Sequence, residues 1–150
     1  MRPAADSFEV RFPNFAAVLV RGLARAPRAV RRRVLTDAFG RAERAFNRGD
    51  LDAVFALFAD DVEYVPPPPL YDGPPIAGRE AVRRFWNDTG TRFDESRIIN
   101  LEVEETAPAR FVRTAQLVHR GPQEELKYRI RQTTELRNGR VIRQVNELLA

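Results

Sequence analysis

Apolar residues in the first third of the chain recur every three or four positions, the spacing of a helix with one buried face. Between residues 28 and 48 these positions are Val30, Val34, Ala38, Phe39, Ala42 and Phe46. We predict a helix over residues 28–48, ended by the turn at Asn47, Arg48 and Gly49. Asp50 then has the chemistry of a helix cap. A second helix, buried against two neighbours, is predicted over residues 51–59.

A short strand and a third helix are predicted next, separated by a proline-rich segment. The strand covers residues 62–65 and the helix covers residues 79–87. Six of the eleven prolines lie within residues 66–75. Because proline lacks a backbone N–H and has a fixed φ, this segment is predicted to be an extended loop and not an interior strand.

The second half of the chain alternates apolar and polar residues, as strands with one face in the core do. Strands are predicted at residues 98–105, 110–120, 126–137 and 140–148, with a hairpin turn at Asn138-Gly139. In the first of these strands the apolar face is Ile99, Leu101 and Val103, and the face expected to be in water is Asn100, Glu102 and Glu104. Helices followed by antiparallel strands indicate an α+β fold, with three helices on one face of a curved sheet that encloses a cone-shaped site.

Composition and charge narrow the class of protein. The 150 residues include no cysteine, which excludes disulfide and thiolate chemistry, and they include one histidine. No apolar run approaches the length of a membrane helix. The formal net charge is +4, but residues 1–33 hold eight arginines and two acidic residues, so they carry +6 and the remainder carries −2. We therefore predict a basic amphipathic extension over residues 1–27 and a single domain over residues 28–150, in a cytoplasmic protein.

Two segments carry a resemblance to a known family. The sequence AFNRGDLDAVFALFADDV begins at Ala45, and IAGREAVRRFW begins at Ile76. Together they resemble the SnoaL-like and ketosteroid isomerase-like branch of the nuclear transport factor 2-like superfamily, over about residues 31–148. The resemblance implies a cone-shaped α+β barrel that commonly forms dimers through its sheet. It also implies a function among isomerases, cyclases, dehydratases, epoxide hydrolases and non-catalytic binding proteins.

The same resemblance argues against ketosteroid isomerase chemistry. That reaction needs a carboxylate base, and two donors to the enolate oxygen, commonly a tyrosine and a protonated aspartic acid. The matching positions hold Ala42 for the tyrosine, Pro66 for the base, and Gln132 or Thr133 for the second acid.

Two polar residues of the strand at 110–120 are the first candidates for a site. Arg113 and His119 share a face with Phe111, Ala115 and Leu117, which favours an inward orientation. An inward Arg113 would hold a carboxylate, enolate or phosphate oxygen of a ligand. Its alternatives are a surface arginine or one paired with a strand neighbour. His119 is the candidate general acid or base, since its unperturbed pKa lies near neutrality; its alternative is a solvated strand end.

Tyr64 points inward by alternation along the first strand. It is either a hydroxyl donor to a ligand oxygen or an aromatic wall of the site. Trp86, Tyr128 and Gln132 are expected to complete the wall and to supply polar contacts.

The sequence thus predicts a protein that binds a small, largely apolar molecule with one or two oxygens, with cofactor-free acid or base chemistry of the isomerase, cyclase or dehydratase type. The alternative is a non-catalytic ligand-binding or dimerisation module of the same fold. We expect no metal or other cofactor. We do expect a homodimer that forms through the sheet. The arginine run at residues 31–33 begins a helix without interleaved aromatics, which favours a solvated helix start over contact with nucleic acid or a membrane.

Overall fold

A computed structural model describes Gly22 and residues 25–149 of the chain. The helices are α1 (Arg28–Asn47), α2 (Leu51–Val54) and α3 (Arg79–Arg92). The strands are β1 (Phe58–Val65), β2 (Ile76–Ala77), β3 (Glu95–Ala107), β4 (Arg110–Arg120), β5 (Glu125–Arg137) and β6 (Arg140–Leu149). The predicted extension over residues 1–27 lies almost wholly outside the described residues.

The strands form one six-stranded sheet in the order β2-β1-β6-β5-β4-β3. All neighbours are antiparallel except β1 and β6, which run parallel. The predicted hairpin between β5 and β6 is confirmed: Asn138 and Gly139 have φ values of 54° and 76°, which asparagine and glycine adopt more readily than other residues. The predicted α+β architecture, helices on a curved and mostly antiparallel sheet, is also confirmed.

The second helix is shorter than predicted and the first strand is longer. Helix α2 ends at Val54, and β1 begins at Phe58, so the prediction of a helix over residues 51–59 is wrong in its second half. Phe55 and Phe58 are both buried and contact each other edge to face, with ring centres 4.9 Å apart. Because this run is apolar on every side, its sequence suits a buried strand as well as a buried helix.

Helix α3 extends further than predicted. It continues past residue 87 to Arg92, whose Nε donates to Glu124 Oε1 at 2.7 Å. Val82 and Trp86 are buried on its inner side, and they join the core formed by β1, β4 and β5.

The predicted faces of β3 are wrong at Ile99, Asn100 and Leu101, but they are right after the bulge, where Val103 lies opposite Arg113 and Glu102 and Glu104 are exposed. Ile99 and Leu101 are 48% and 49% exposed, whereas Ile98 is buried and Asn100 points toward α1. The pairing of β3 with β4 shifts between Asn100 and Glu102, so the alternation changes phase at a bulge. Val30 of α1, also expected in the core, is 48% exposed.

Helix α1 caps the free edge of the sheet. Asn47 Oδ1 accepts the backbone N–H of Ile98 at 2.7 Å, and Asn47 Nδ2 donates to the Ile98 carbonyl at 3.0 Å. Glu43 Oε2 accepts the backbone N–H of Asn100 at 2.9 Å. Since β3 is an edge strand, these side chains satisfy groups that would otherwise lack a partner strand. They also fix α1 across the inner face of β3 and β4.

None of the helices in the described part of the chain has both the length and the apolar composition needed to cross a membrane.

Candidate functional site

The inner face of β4 carries the two polar candidates among apolar neighbours. Phe111, Arg113, Ala115, Leu117 and His119 are all buried, so the predicted inward face of this strand is confirmed. Arg113 lies directly opposite Gln132 of β5, and Gln132 lies directly opposite Asn146 of β6. The sheet therefore places three buried polar side chains in one row across three strands.

Arg113 belongs to a chain of hydrogen bonds that leads to α1. Its Nη1 donates to Asn100 Oδ1 at 2.9 Å, and Asn100 Nδ2 donates to the Phe39 carbonyl at 3.0 Å. The guanidinium also lies over the Phe39 ring, 5.3 Å from its centre. Burial lowers the pKa of Arg113 to about 10, an effect that Tyr64 and Glu43 oppose. Arg113 is therefore a buried cation at neutral pH.

Gln132 belongs to a second chain that leads to β1. Its Nε2 donates to Asn146 Oδ1 at 2.9 Å, and Asn146 Nδ2 donates to the Val65 carbonyl at 2.9 Å. A backbone carbonyl only accepts hydrogen bonds, so it fixes which end of the Asn146 amide faces it. The Asn146 amide fixes the orientation of Gln132 in the same way.

These two series of hydrogen bonds end at Arg113 and Gln132, and each of these residues has one polar atom without a partner. Arg113 Nε and Gln132 Oε1 are buried and form no hydrogen bond with any residue that the structure describes. One is a donor and the other an acceptor, on residues directly opposite each other. Leaving a buried polar group unpaired costs about 1–3 kcal/mol, so two such atoms together indicate a binding position for a polar group.

Tyr64 lies beside this pair. Trp86 Nε1 donates to the Tyr64 hydroxyl at 3.1 Å, and both side chains are buried. Burial raises the pKa of the Tyr64 hydroxyl well above its ordinary value, while Trp86, Arg113 and Asn146 act in the opposite direction. The hydroxyl is therefore protonated at neutral pH, and it is within electrostatic reach of the guanidinium.

His119 lies at the other end of the same strand face. It is 0% exposed, its Nδ1 is 2.7 Å from Ser96 Oγ, and its Nε2 is 2.9 Å from the Tyr128 hydroxyl. Burial lowers the pKa of His119 to about 4, and the positive charge of Arg92 adds to this effect. The imidazole is thus neutral at physiological pH, and both nitrogens are occupied by hydroxyl groups. The alternative of a solvated strand end is wrong.

Burial also raises the pKa of the Tyr128 hydroxyl, with a further contribution from nearby Tyr64. Tyr64 therefore influences groups at both ends of this strand face, Tyr128 beside His119 and the Arg113 guanidinium.

The sequence patterns predict that these side chains point inward, but they do not identify their hydrogen-bond partners. Arg113, His119, Tyr64, Trp86, Tyr128 and Gln132 are all buried on the inside of the molecule. The predicted site residues do not include four of the partners: Asn100, Asn146, Ser96 and Glu43. The signal for Asn146 was available, since alternation along β6 places it on the same face as Gln144; the bulge in β3 concealed Asn100.

The residues at the positions matched to ketosteroid isomerase still argue against that chemistry. Gln132 is the inward residue of the pair that the sequence left open, and Thr133 lies on the opposite face, half-buried. Ala42, Pro66 and Gln132 carry no acidic group. Within the described residues, no group of three or more histidine, aspartate or glutamate side chains is placed to hold a metal ion.

An open groove lies beside the site. It has a volume of about 730 Å³, runs between the first half of α1 and the end of β3, and is lined by Leu35 and Val103 among others. Val103 is directly opposite Arg113 in the sheet. The groove therefore reaches the neighbour of the buried cation.

Comparisons with solved structures show the same fold in several proteins. Bal32a, from a soil-derived mobile gene cassette, is 21% identical with a TM-score of 0.67, over 75% of this chain and 87% of its own. TerC, crystallised with polyporic acid, is 18% identical with a TM-score of 0.64, over 76% and 90%. IdmH from Streptomyces antibioticus, a proposed polyketide cyclase, is 18% identical with a TM-score of 0.61, over 75% and 90%.

A comparison with curated protein sequences finds no match. The family comparison does: the model of the SnoaL-like domain matches residues 39–144, which include α2, α3 and the whole length of β1 to β5. The match covers more than half of the chain and contains every inner-face residue described above except Asn146. The chain therefore belongs to the SnoaL-like domain family of the nuclear transport factor 2-like superfamily.

Proposed function

We propose that this protein binds a small, largely apolar molecule that carries oxygen atoms, on the inner face of its sheet beside Arg113 and Gln132. The observation that carries this proposal is the pair of unpartnered buried atoms, Arg113 Nε and Gln132 Oε1. Apolar side chains such as Ala115 and Ile130 surround them on the same face. An apolar site with a few convergent polar groups is typical of small-molecule binding.

The fold gives further support. TerC was crystallised with polyporic acid, so one protein of this fold has been studied with an organic acid. In the present chain a groove of about 730 Å³ lies between α1 and β3, and its lining includes Val103, the strand neighbour of Arg113.

A thermal-shift screen of small apolar compounds with oxygen groups tests the proposal. A ligand at a hundred times its Kd stabilises a protein by about 2.7 kcal/mol through mass action. We expect some compounds to raise the Tm of the wild type and not of Gln132→Leu or Arg113→Met. The matched control is Gln144→Leu, since Gln144 is a buried glutamine whose Nε2 donates to Thr134 Oγ1 at 3.0 Å. Compounds that stabilise all four proteins equally would show that binding occurs elsewhere.

Acid or base chemistry is the second part of the proposal, and the contacts of His119 support it. A neutral imidazole between two hydroxyl groups can donate to either one and accept from the other. When Nε2 carries the proton, it donates to the Tyr128 oxygen, and the Tyr128 proton is then free for a ligand oxygen. In this arrangement Tyr128 is the proton donor and His119 is a positioning residue. Tyr64 is a second donor.

Hydrogen exchange separates this chemistry from the alternative, a non-catalytic binding module. The measurement is the rate at which deuterium from the solvent enters carbon atoms next to the carbonyl of a bound ketone, followed by NMR. An enzyme would accelerate exchange in the wild type and lose most of the acceleration in Tyr128→Phe. Binding without any acceleration would favour the non-catalytic module.

We also propose a homodimer through the outer face of the sheet. Ile99 and Leu101 of β3 are about half exposed there, and Val112 and Val118 of β4 share that face. Apolar side chains on the solvent side of a sheet are typical of an interaction surface.

A further inference from the structure

The surroundings of Arg113 leave its charge only partly compensated. Within the described residues, no carboxylate contacts the guanidinium. Glu43 is the acidic residue whose charge reaches it, but Glu43 Oε2 already accepts the backbone N–H of Asn100 at 2.9 Å. Asn100, which is neutral, accepts a hydrogen bond from Arg113 Nη1 through its Oδ1. A buried cation in this position is stabilised by an anion that makes a direct contact.

Gln132 requires the opposite kind of group. Its Oε1 accepts hydrogen bonds only, and the bond from its Nε2 to Asn146 fixes the amide in the present orientation. An anionic oxygen carries no proton, so it cannot satisfy Oε1. A donor such as a hydroxyl group can.

We infer that the ligand of this site is an organic anion that carries a hydroxyl group next to its charged oxygen. The inference rests on the proposed function. The charged oxygen accepts from Arg113 Nε, and the hydroxyl donates to Gln132 Oε1. The two residues are directly opposite in an antiparallel pair, so we expect the two ligand groups to lie close together on the ligand.

Simpler ligands leave one of the two atoms unsatisfied. A neutral alcohol pairs with Gln132 but adds no charge opposite the guanidinium. A carboxylate without a hydroxyl pairs with Arg113 but leaves Oε1 buried and unpaired. A single water bridging both atoms would satisfy their hydrogen bonds without compensating the charge, and this is the competing explanation that the experiment must separate.

Mandelate and two of its relatives form a matched probe set. Mandelate has a carboxylate, an adjacent hydroxyl and an apolar ring; phenylacetate lacks the hydroxyl, and mandelamide lacks the charge. Binding to the full chain is followed by the fluorescence of Trp86, the single tryptophan of the chain, which is hydrogen-bonded to Tyr64 beside the site. We expect mandelate to bind about tenfold more tightly than either relative, the factor typical of one lost hydrogen bond or ionic contact.

Three variants assign the preferences to their residues. Gln132→Leu should remove the preference for mandelate over phenylacetate and keep the preference over mandelamide. Arg113→Met should remove the preference over mandelamide. Gln132→Glu places a carboxylate directly opposite the guanidinium, so it should abolish the binding of all anionic probes.

The outcomes separate this inference from the proposed function. The inference that the ligand is a hydroxylated anion would be overturned by either of two results. One is equal affinity for mandelate, phenylacetate and mandelamide, and the other is no binding of mandelate at all. The proposed function would still stand if the wider screen found another ligand that requires Gln132 and Arg113. If Gln132→Leu and Arg113→Met left probe binding unchanged, a bridging water would be the better account of the two atoms.

Discussion

At the scale of single residues, Arg113 and Gln132 are the strongest candidates for ligand contacts. Arg113 Nη1 and Gln132 Nε2 form hydrogen bonds, whereas Arg113 Nε and Gln132 Oε1 have no partner among the described residues. Both bonded sides end at a backbone carbonyl, of Phe39 in one case and Val65 in the other. The carbonyls hold the intermediate asparagines, and the asparagines orient the two site residues. The proposed site is therefore built from two supported side chains, and its unpartnered atoms belong to residues that are directly opposite each other in the β4–β5 pair.

The buried imidazole gives a prediction about pH. The pKa of His119 is lowered to about 4 in the folded protein, below the value of about 6.5 in an unfolded chain. Below about pH 6.5 the unfolded chain binds a proton that the folded protein does not. Stability should therefore fall by roughly 3 kcal/mol between about pH 6.5 and pH 4, and this contribution should then level off.

The measurement is the free energy of unfolding by urea across this pH range, for the wild type and for His119→Gln. Glutamine keeps a donor and an acceptor for Ser96 and Tyr128 but does not titrate. The difference between the two proteins should shrink or reverse as pH falls, since only the wild type loses the histidine contribution. Parallel curves would contradict a buried neutral imidazole.

At the scale of elements, the bond between α1 and β3 holds one wall of the site in place. Asn47 exchanges two hydrogen bonds with the backbone of Ile98, in the way a neighbouring strand would. Glu43 adds a third on Asn100, whose side chain holds Arg113. A helix that is anchored to an edge strand by side chains can thus position a residue on the next strand.

Asn47→Asp tests this anchor with a side chain of the same shape. The aspartate still accepts the N–H of Ile98 but cannot donate to the Ile98 carbonyl, which then faces an anion. We expect a loss of about 1–3 kcal/mol in the free energy of unfolding at neutral pH. The loss should diminish at acidic pH, where the carboxyl regains a proton. Asn87→Asp, an exposed change on α3, is the control and should have little effect.

The elements also show where sequence patterns succeed and where they fail. The alternation along β4 is unbroken, so the inward positions of Arg113 and His119 follow from Ala115 and Leu117. In β3 the bulge after Asn100 changes the phase of the alternation, so Ile98, Asn100 and Val103 share the inner face and Ile99 lies on the outer face. Alternation assumes a constant phase and cannot predict such a shift.

The orphaned atoms could not be predicted from the sequence. They depend on the direction of three amides, those of Asn100, Asn146 and Gln132, and one guanidinium, which are set by the Phe39 and Val65 carbonyls far along the chain. Alternation places a side chain on a face of the sheet but does not say which of its atoms has a partner.

At the scale of the whole molecule, the charge that dominates the composition lies apart from the site. Of the +6 carried by residues 1–33, +2 belongs to the predicted extension over residues 1–27 and +4 to the arginines of residues 28–33 at the start of α1, whereas the functional proposal depends on one buried arginine, Arg113. The inner face carries the proposed ligand site, and the outer face carries the surface proposed for a second copy.

The proposed dimer has its own test. Leu101→Lys places a charge on the exposed apolar part of β3, so it should shift the protein from dimer to monomer in sedimentation velocity. Leu148→Lys is the matched control, because Leu148 is 52% exposed but lies at the end of β6. A monomeric wild type, or equal masses for the wild type and Leu101→Lys, would contradict this interface.

The central claim is that Arg113 Nε and Gln132 Oε1 are ligand-binding atoms. The most direct test is a crystal structure of the full chain with the strongest ligand from the thermal-shift screen. We predict that ligand oxygen atoms lie within hydrogen-bond distance, about 2.7–3.2 Å, of both atoms. A ligand bound elsewhere, with both atoms satisfied by an ordered water in its presence and absence, would contradict the claim.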